Sequence, residues 1–582
     1  GSIAHYRGGF NYNHYLTYQN VIGILSIENI DYVKKGFSIY QINEIVNNYF
    51  NKVLKTKSSS LIKALTIGNK NDLEEELQKD ISNVGISHLF VISGLHINII
   101  AMCIRFMLKK FHLKEHVINI FTIIILFIYF FITGLLISVL RVIISYILKL
   151  INKIFNYQLS GVDIICINII LVLLVNPFYI YQYSFILSYI ISFSIIISNN
   201  LLTTFSKYQF FITSLKTSIL SLFVTLPIIS NINPDINFLS IFYNILYIPF
   251  VTYILLPMAF LTAIFPLLEF IFNYVYLFFE TLTNFFANIK IFTFTFPSVN
   301  IIIIFIYYVL MYLILKNLEL KRQIYIKVIG LILILLFWNN IHLFNYNDEV
   351  YFIDLPKGEA TLIKSSYNQG NILIDTGEFG YDDIILFLKK QGIKRLDLII
   401  ITHSDSDHNG MLASIIHNFN VKCIYYNRYD NQTRNKIPPP IPNRGLKAND
   451  IITLKGIKLK VLSPIKDYQN SNNNSLVILA SLFGKKYLFT GELTKDDVDI
   501  LKVAHHGSST SSSFSFLKKI GFDISNSNKI AICMNGYLNQ FSFPHNNTVY
   551  NIKTKLYITS YSKTICIRKN KFLSKYDIIN SW

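Results

Sequence analysis

The strongest constraint on this chain is a near-unbroken series of apolar stretches between residues 86 and 344. They lie near 86–108, 117–136, 137–152, 160–176, 183–200, 209–231, 238–263, 267–289, 299–316 and 328–344. Several approach the ~20 apolar residues that cross a hydrocarbon layer as a helix. Within such a layer only helices and closed barrels satisfy their own backbone polar groups. A soluble fold around one core is excluded, and residues 61–344 are expected to form a multi-span helical domain. The pair at 117–152 reads either as two spans or as one span with a re-entrant turn. Gly134, Pro227, Pro249 and Pro257 interrupt the series, which is tolerated where neighbouring helices or a water-filled cavity take up the freed backbone groups. Composition agrees, with 52% hydrophobic and only 15% charged residues.

Charge is less decisive. A formal net charge of +19 permits a polyanionic partner such as nucleic acid or anionic lipid, yet cytoplasmic loops of membrane proteins are rich in Lys and Arg in any case. One loop orients the chain: Lys316, Lys321, Arg322 and Lys327 precede the last apolar stretch. This loop is expected on the cytoplasmic side, so one further crossing puts everything after residue 345 outside. The five cysteines form no CxxC pair, so neither a disulfide framework nor a zinc knuckle is expected.

From residue 351 the texture changes to short β-like runs separated by Asp/Gly turns, and 345–582 is expected to be a separate domain. The run 396–401 leads into Thr402-His403-Ser404-Asp405-Ser406-Asp407-His408-Asn409-Gly410. Four metal-competent side chains within six residues at the end of a buried strand can fold His403 and Asp405 toward one ion and Asp407 and His408 toward a second. Two cations roughly 3.5–4 Å apart activate water and neutralise phosphoryl charge. Two further strands end in candidate ligands, Gly491-Glu492 and His505-His506-Gly507-Ser508; Glu492 is placed to bridge two ions. Asp375, after the run 371–374, is expected to orient the metal loop by hydrogen bonds. The run 508–513 reads either as a phosphate-holding helix start or as a Ser-rich loop with an N-cap.

These motifs resemble the metallo-β-lactamase superfamily, an αββα sandwich, and in particular the ComEC family of bacterial competence proteins. The resemblance runs through Asp354, ILIDTG, THSDSDHNG, the NNNSLVIL stretch with Asn474 and Ser475, FTGE, LKVAHHGSSTSSS and Phe543-Pro544-His545. The apolar half resembles the same family at Gly85-Ile-Ser-His-Leu-Phe-Val-Ile-Ser-Gly-Leu-His96, Ser138-Val-Leu-Arg141, Asn176-Pro177, Phe185-Ile-Leu-Ser188, Asn244 and Pro249. Gly8-Gly9-Phe10-Asn11-Tyr12 resembles the stretch after that family's N-terminal OB-like domain, so 1–60 is expected to be the tail of a truncated OB-like domain and a linker.

The resemblance implies DNA uptake in natural transformation at the bacterial cytoplasmic membrane. One strand would be degraded outside the cell and the other would pass through the helical domain, with lipid bilayer, DNA, a DNA receptor and a cytoplasmic motor as partners. Residue by residue, it implies two divalent ions. His403 and Asp405 would hold the first, Asp407, His408 and His505 the second, with Glu492 between them. An activated water would be the nucleophile, and His506 or Ser508 would stabilise the phosphate. Asp405 stands where related hydrolases carry His, so Mn²⁺ joins Zn²⁺ as a candidate.

Three departures bear on activity. Glu492 replaces the family's Asp, Asp354-Leu-Pro-Lys-Gly358-Glu359 replaces its Asp-x-Gly-x-Gly-Asp, and Phe543-Pro544-His545 replaces its Gly-His-Pro. Two alternatives therefore stand beside a DNA-uptake nuclease: a membrane-anchored hydrolase of lipid or wall phosphodiesters, and a channel whose metallo-domain is a non-catalytic binding module. In the apolar half, His96 and Arg141 are the channel candidates, since ionisable groups among spans are costly; the competing role is to fix helix packing.

Overall fold

The computed structural model describes residues 40–202, 208–380, 382–489, 498–509, 512–525, 527–536, 542–571, 573 and 575–580. Residues 1–39, with the Gly8–Tyr12 motif, lie outside the described residues. The described chain divides into two compact units, one within residues 16–295 and 299–334, the other comprising 296–298 and the chain from 335 onward.

The first unit is helical. After α1 (Tyr40–Val53), α2 (Ser59–Ile67) and α3 (Glu75–Val84) come α4 (Gly94–Lys110), α5 (Glu115–Ile132), α6 (Ile137–Phe155), α7 (Gly161–Val175) and α8 (Tyr183–Ile197). They are followed by α9 (Gln209–Ile232), α10 (Ser240–Ile264), α11 (Glu269–Ala287) and α12 (Ile301–Glu319); α13 (Tyr325–Asn339) leads into the second unit. Each apolar stretch of the sequence thus becomes a helix. Among the described residues, α5, α9, α10 and α12 are long and apolar enough to cross a membrane; α7, α8 and α13 are shorter apolar helices. The 117–152 pair forms two helices, because Gly134 (φ +72°) and Leu135 (φ +64°) reverse the chain between α5 and α6.

The prolines are absorbed as expected. Pro227 sits inside α9 and has no N–H to offer the carbonyl four residues earlier. That carbonyl, on Phe223, accepts instead from the Tyr307 hydroxyl of α12 at 2.5 Å, and Val224 O accepts from Tyr308 at 3.0 Å. Pro249 and Pro257 flank a π-helical turn, Val251–Leu255, within α10, a local rewinding that accommodates missing donors.

The second unit is an αββα sandwich. Its strands are β1 (Asn347–Phe352), β2 (Thr361–Lys364), β3 (Asn371–Ile374), β4 (Leu398–Ile401), β5 (Ile424–Asn427), β6 (Asn443–Leu446), β7 (Ile451–Leu454) and β8 (Ile457–Ser463). There follow β9 (Val477–Leu482), β10 (Lys485–Phe489), β11 (Ile500–Lys502), β12 (Ile530–Cys533), β13 (Lys555–Ile558), β14 (Ile565–Asn570) and β15 (Tyr576–Asn580). One sheet runs β6-β5-β4-β3-β2-β1-β14-β15 and the other β7-β8-β9-β10-β11-β12-β13.

Alternation along the strands builds the layers. Val350, Phe352, Ile372, Ile374 and Ile400 of the first sheet pack with Leu459, Val461, Ile478, Phe489 and Ile532 of the second. The opposite face of the first sheet, with Leu373, Ile399 and Ile401, is covered by helices Asp383–Lys390 and Leu412–Asn418 through Ile384, Phe387, Leu388 and Ile415. Helix Phe514–Lys519 covers Leu488, Leu501 and Ala531 on the second sheet through Phe516 and Leu517. β3, β4 and β5 are parallel neighbours, as are β11, β12 and β13. Loops leaving the C-terminal ends of strands in both sheets therefore meet at one end of the sandwich.

Candidate metal centre

β4 ends at Ile401 and hands the chain to the loop carrying His403, Asp405, Asp407 and His408. Asp375, just past β3, organises that loop. Its Oδ1 accepts from the backbone N–H and hydroxyl of Thr402 at 2.8 and 3.0 Å, and its Oδ2 faces His408 Nδ1 at 2.8 Å. The Thr402 hydroxyl, donating to Asp375, is free to accept from His403 Nδ1 at 3.0 Å. One buried carboxylate thus sets two imidazoles, one directly and one through a hydroxyl. The loop carbonyls are pinned as well: Thr376 N–H donates to His408 O at 2.7 Å and Glu359 N–H to Asp407 O at 3.0 Å. Gly358 makes the second contact possible: its φ is +81°, and a Cβ there would stand only 2.1 Å from Asp407 O, leaving no room for a side chain.

From the second sheet, β11 continues into His505, His506 and Gly507, all with positive φ (47°, 54° and 81°). This left-handed turn aims His506 inward. Its Nε2 lies 3.0 Å from Asp407 Oδ2, while its Nδ1 faces Met534 O at 3.0 Å and Glu359 Oε1 at 3.1 Å. Single ligand atoms of Asp407, His408 and His506 lie within 4.8 Å of one another. His403 Nε2 and Asp405 Oδ2 approach to 3.5 Å, and the His403 and His408 rings stand 4.0 Å apart.

The donor set fits divalent metal. Each of His403, His408 and His506 has an acceptor at Nδ1, which leaves Nε2 as the lone-pair nitrogen, and each Nε2 faces a carboxylate oxygen (Asp405, Asp407 and Asp407). That is the hydrogen-bonded arrangement typical of metal-ligating histidine. Charge points the same way. Burial pulls the His506 pKa down, but Glu359 and Asp407 outweigh it and raise it to about 10. Burial pushes the Asp407 carboxyl up, yet His506 and His408 hold it well below the carboxylate range. Acids that hold a proton on His506 are equally placed to hold a cation in its stead.

Thr402→Val removes the hydroxyl link from Asp375 to His403 while keeping the side-chain shape. Metal affinity of the full chain in detergent, by titration calorimetry, is expected to fall about 10–100-fold. An unchanged affinity would mean that the link sets nothing.

The sequence-derived residues fall into place unevenly. His403, Asp405, Asp407 and His408 come together. His506 takes the inward position expected of His505, whose exposed ring stands 6.2 Å from that of His506 and 6.1 Å from Phe543. Ser508 is buried beside this turn, its carbonyl accepting from Thr548 Oγ1 at 2.9 Å. Glu492 lies outside the described residues. The late Phe-Pro-His motif covers the turn: His545 N–H donates to Gly507 O, Ser509 N–H donates to His545 Nδ1, both at 3.0 Å, and Phe543 stacks on His506.

Two residues escaped the sequence reading. Glu359, noted only as a departure, is buried against His506 and ion-paired with Lys502, itself buried in β11. Burial pushes the Glu359 carboxyl up, but Lys502, His506 and His408 hold it far below its ordinary range. The available signal was a lone lysine in an otherwise apolar strand.

In the helical unit, His96 is buried in the first turn of α4, with Nδ1 3.1 Å from Ser93 Oγ. Arg141, on α6, donates to Ser192 Oγ at 2.6 Å and Ser188 O at 3.4 Å and lies 5.6 Å from the Tyr189 ring centre. Asn168 of α7 donates to Arg141 O and Ser145 Oγ and accepts from Tyr189. The result is a polar seam joining α6, α7 and α8.

Fold and cluster together define a metal-dependent hydrolase domain attached to a polytopic helical membrane domain. A family model described as competence protein matches residues 65–321, and one described as metallo-beta-lactamase superfamily matches 357–525. The two matches follow one another in the tandem order of the ComEC competence proteins that its motifs resemble. ComE operon protein 3 of Bacillus subtilis is 27% identical, over 92% of this chain and 75% of its own length. Recombination protein 2 of Haemophilus influenzae is 29% identical over 34% of this chain and 25% of its own. An uncharacterized protein of Mycoplasma genitalium is 28% identical over 46% of this chain and 71% of its own. A solved metallo-beta-lactamase from Staphylococcus aureus is 19% identical over 27% of this chain and 46% of its own, at a TM-score of 0.19.

Proposed function

We propose that this protein brings DNA into a bacterial cell, degrading one strand outside the cytoplasmic membrane and passing the other through the helical unit. The observation that carries the nuclease half is the convergence of His403, His408 and His506, each with Nδ1 held and Nε2 turned to Asp405 or Asp407. The membrane half is supported by the competence-family match over 65–321 and by the apolar helices within it.

Two divalent ions, Mn²⁺ or Zn²⁺, are proposed. His403 and Asp405 would hold one; Asp407, His408 and His506, with His505 as the sequence's own candidate, would hold the other. Glu492 would bridge them. When bound, such ions supply an activated water and neutralise phosphoryl charge. The chain supplies the rest. Asp375 and Thr402 fix the imidazoles, Glu359 and Met534 O fix His506, and Ser508 and the histidine not used as a ligand stabilise the phosphate. Arg141 and His96 would contact the strand in passage, and a DNA receptor and a cytoplasmic motor would act on either side.

The test is hydrolysis of single-stranded DNA by the full chain in detergent, with Mn²⁺, Zn²⁺ or chelator. Cutting that requires metal and stops with chelator is expected. A folded, metal-loaded protein that cuts nothing would replace the nuclease by a binding module. Cleavage of lipid or wall phosphodiesters in preference to DNA would replace the substrate.

A further inference from the structure

The other end of the sandwich carries a basic cavity. Opposite the metal centre, three turns converge: β7–β8 at 455–456, β9–β10 at 483–484, and the exit of β14 at 571. Between them lies a cavity of about 500 Å³ whose lining includes Lys455, Lys485, Lys486 and Lys571. The one carboxylate in its lining is Asp348, whose Oδ1 already accepts from Ser366 N–H at 2.8 Å. Buried Ser365 also lines it, and its Oγ has no hydrogen-bond partner. Four lysines in one lining make a positive potential that an anion seated there would neutralise.

The rim says which anion. Its wall continues into the segment that follows α13, where Leu343, Phe344 and Tyr346 are 45, 58 and 40% exposed. Tyr367, 42% exposed, donates its N–H to Asn345 O at 2.6 Å, and Lys571 Nζ lies 5.7 Å from the centre of its ring. Exposed aromatics beside lysines, a few residues past an apolar helix, are the signature of a membrane–water interface. A half-open cavity of small-molecule size, bounded by three turns, suits a single headgroup better than a run of nucleotides, which needs a longer track.

We propose that this end of the sandwich seats the phosphate of an anionic lipid headgroup, with Leu343, Phe344, Tyr346 and Tyr367 resting in the interface.

The experiment is lysine acetylation, read by mass spectrometry, on the full chain in nanodiscs of phosphatidylglycerol or of phosphatidylcholine. Lys455, Lys485, Lys486 and Lys571 are expected to react about fivefold more slowly in phosphatidylglycerol, with Lys518 and Lys519 on the outer helix unchanged. In Lys455→Glu/Lys486→Glu, the lipid dependence at Lys571 should vanish. Equal rates in both lipids would overturn the proposal. So would protection in phosphatidylcholine by an added single-stranded oligonucleotide or by inorganic phosphate alone, which would assign the cavity to a strand or to a free anion. Hydrolysis of bis(p-nitrophenyl) phosphate by the same preparations reports the metal centre separately, so this proposal and the nuclease reading can fail independently.

Discussion

Replacing Asp407 and His408 together by alanine is expected to abolish metal-dependent DNA cutting, with residual activity more than about a hundredfold below the parent. Loss of a hydrogen-bond partner behind a ligand already costs 10–100-fold, and here two ligand atoms of a three-residue cluster go at once. The loop itself should survive, because its backbone is held by Asp375, Thr376 and Glu359 through contacts that neither side chain makes: Thr402 N to Asp375, Thr376 N to His408 O, and Glu359 N to Asp407 O. A protein that still unfolds cooperatively, at a melting temperature lowered by the loss of His408 from beside the buried Asp375, yet neither cuts nor binds metal is therefore the expected pattern. Full cutting by the double variant would remove the assigned centre altogether.

The second large effect concerns stability. Glu359 and Lys502 form an ion pair with side chains only 2 and 5% exposed. Removing one partner strands the other charge in the interior, at a cost of about 3–5 kcal/mol. Lys502→Met alone should thus lower the melting point of the sandwich by about 6–20 °C. Removing both charges together, as Glu359→Leu with Lys502→Met, should recover most of that loss, since well-packed apolar replacements of buried pairs are often neutral. His506 would still lose its carboxylate neighbour, so the double variant separates the two roles of Glu359: stability returns and metal affinity does not. Equal melting points for Lys502→Met and the parent would mean the pair is hydrated rather than buried.

Much of this was legible in the chain. The helices were readable because the apolar stretches are long and mostly set apart by polar residues, the abutting pair at 117–152 excepted, and the loop 402–410 because its ligands are adjacent in sequence and follow an apolar strand. Long-range partners were not. Lys502 lies 143 residues from Glu359, and no local pattern links them. The choice between His505 and His506 depends on three successive left-handed residues, a backbone state that two identical side chains in a row do not announce. The cavity lysines come from turns well over a hundred residues apart at the extremes, so each looks alone like ordinary surface charge.

The inward groups come from both layers: Asp407 and His408 hang from the first sheet, and His506 from the second. Their spacing therefore gauges how the two sheets lie across the Phe352–Phe489 contact, where the rings stand 6.2 Å apart. A core substitution that lets one layer slide by an ångström would leave every strand paired and every helix in place, yet spread the cluster. In such a variant the first symptom of a loosened interior would be chemical rather than thermal, appearing at the far rim of the domain before any strand came apart.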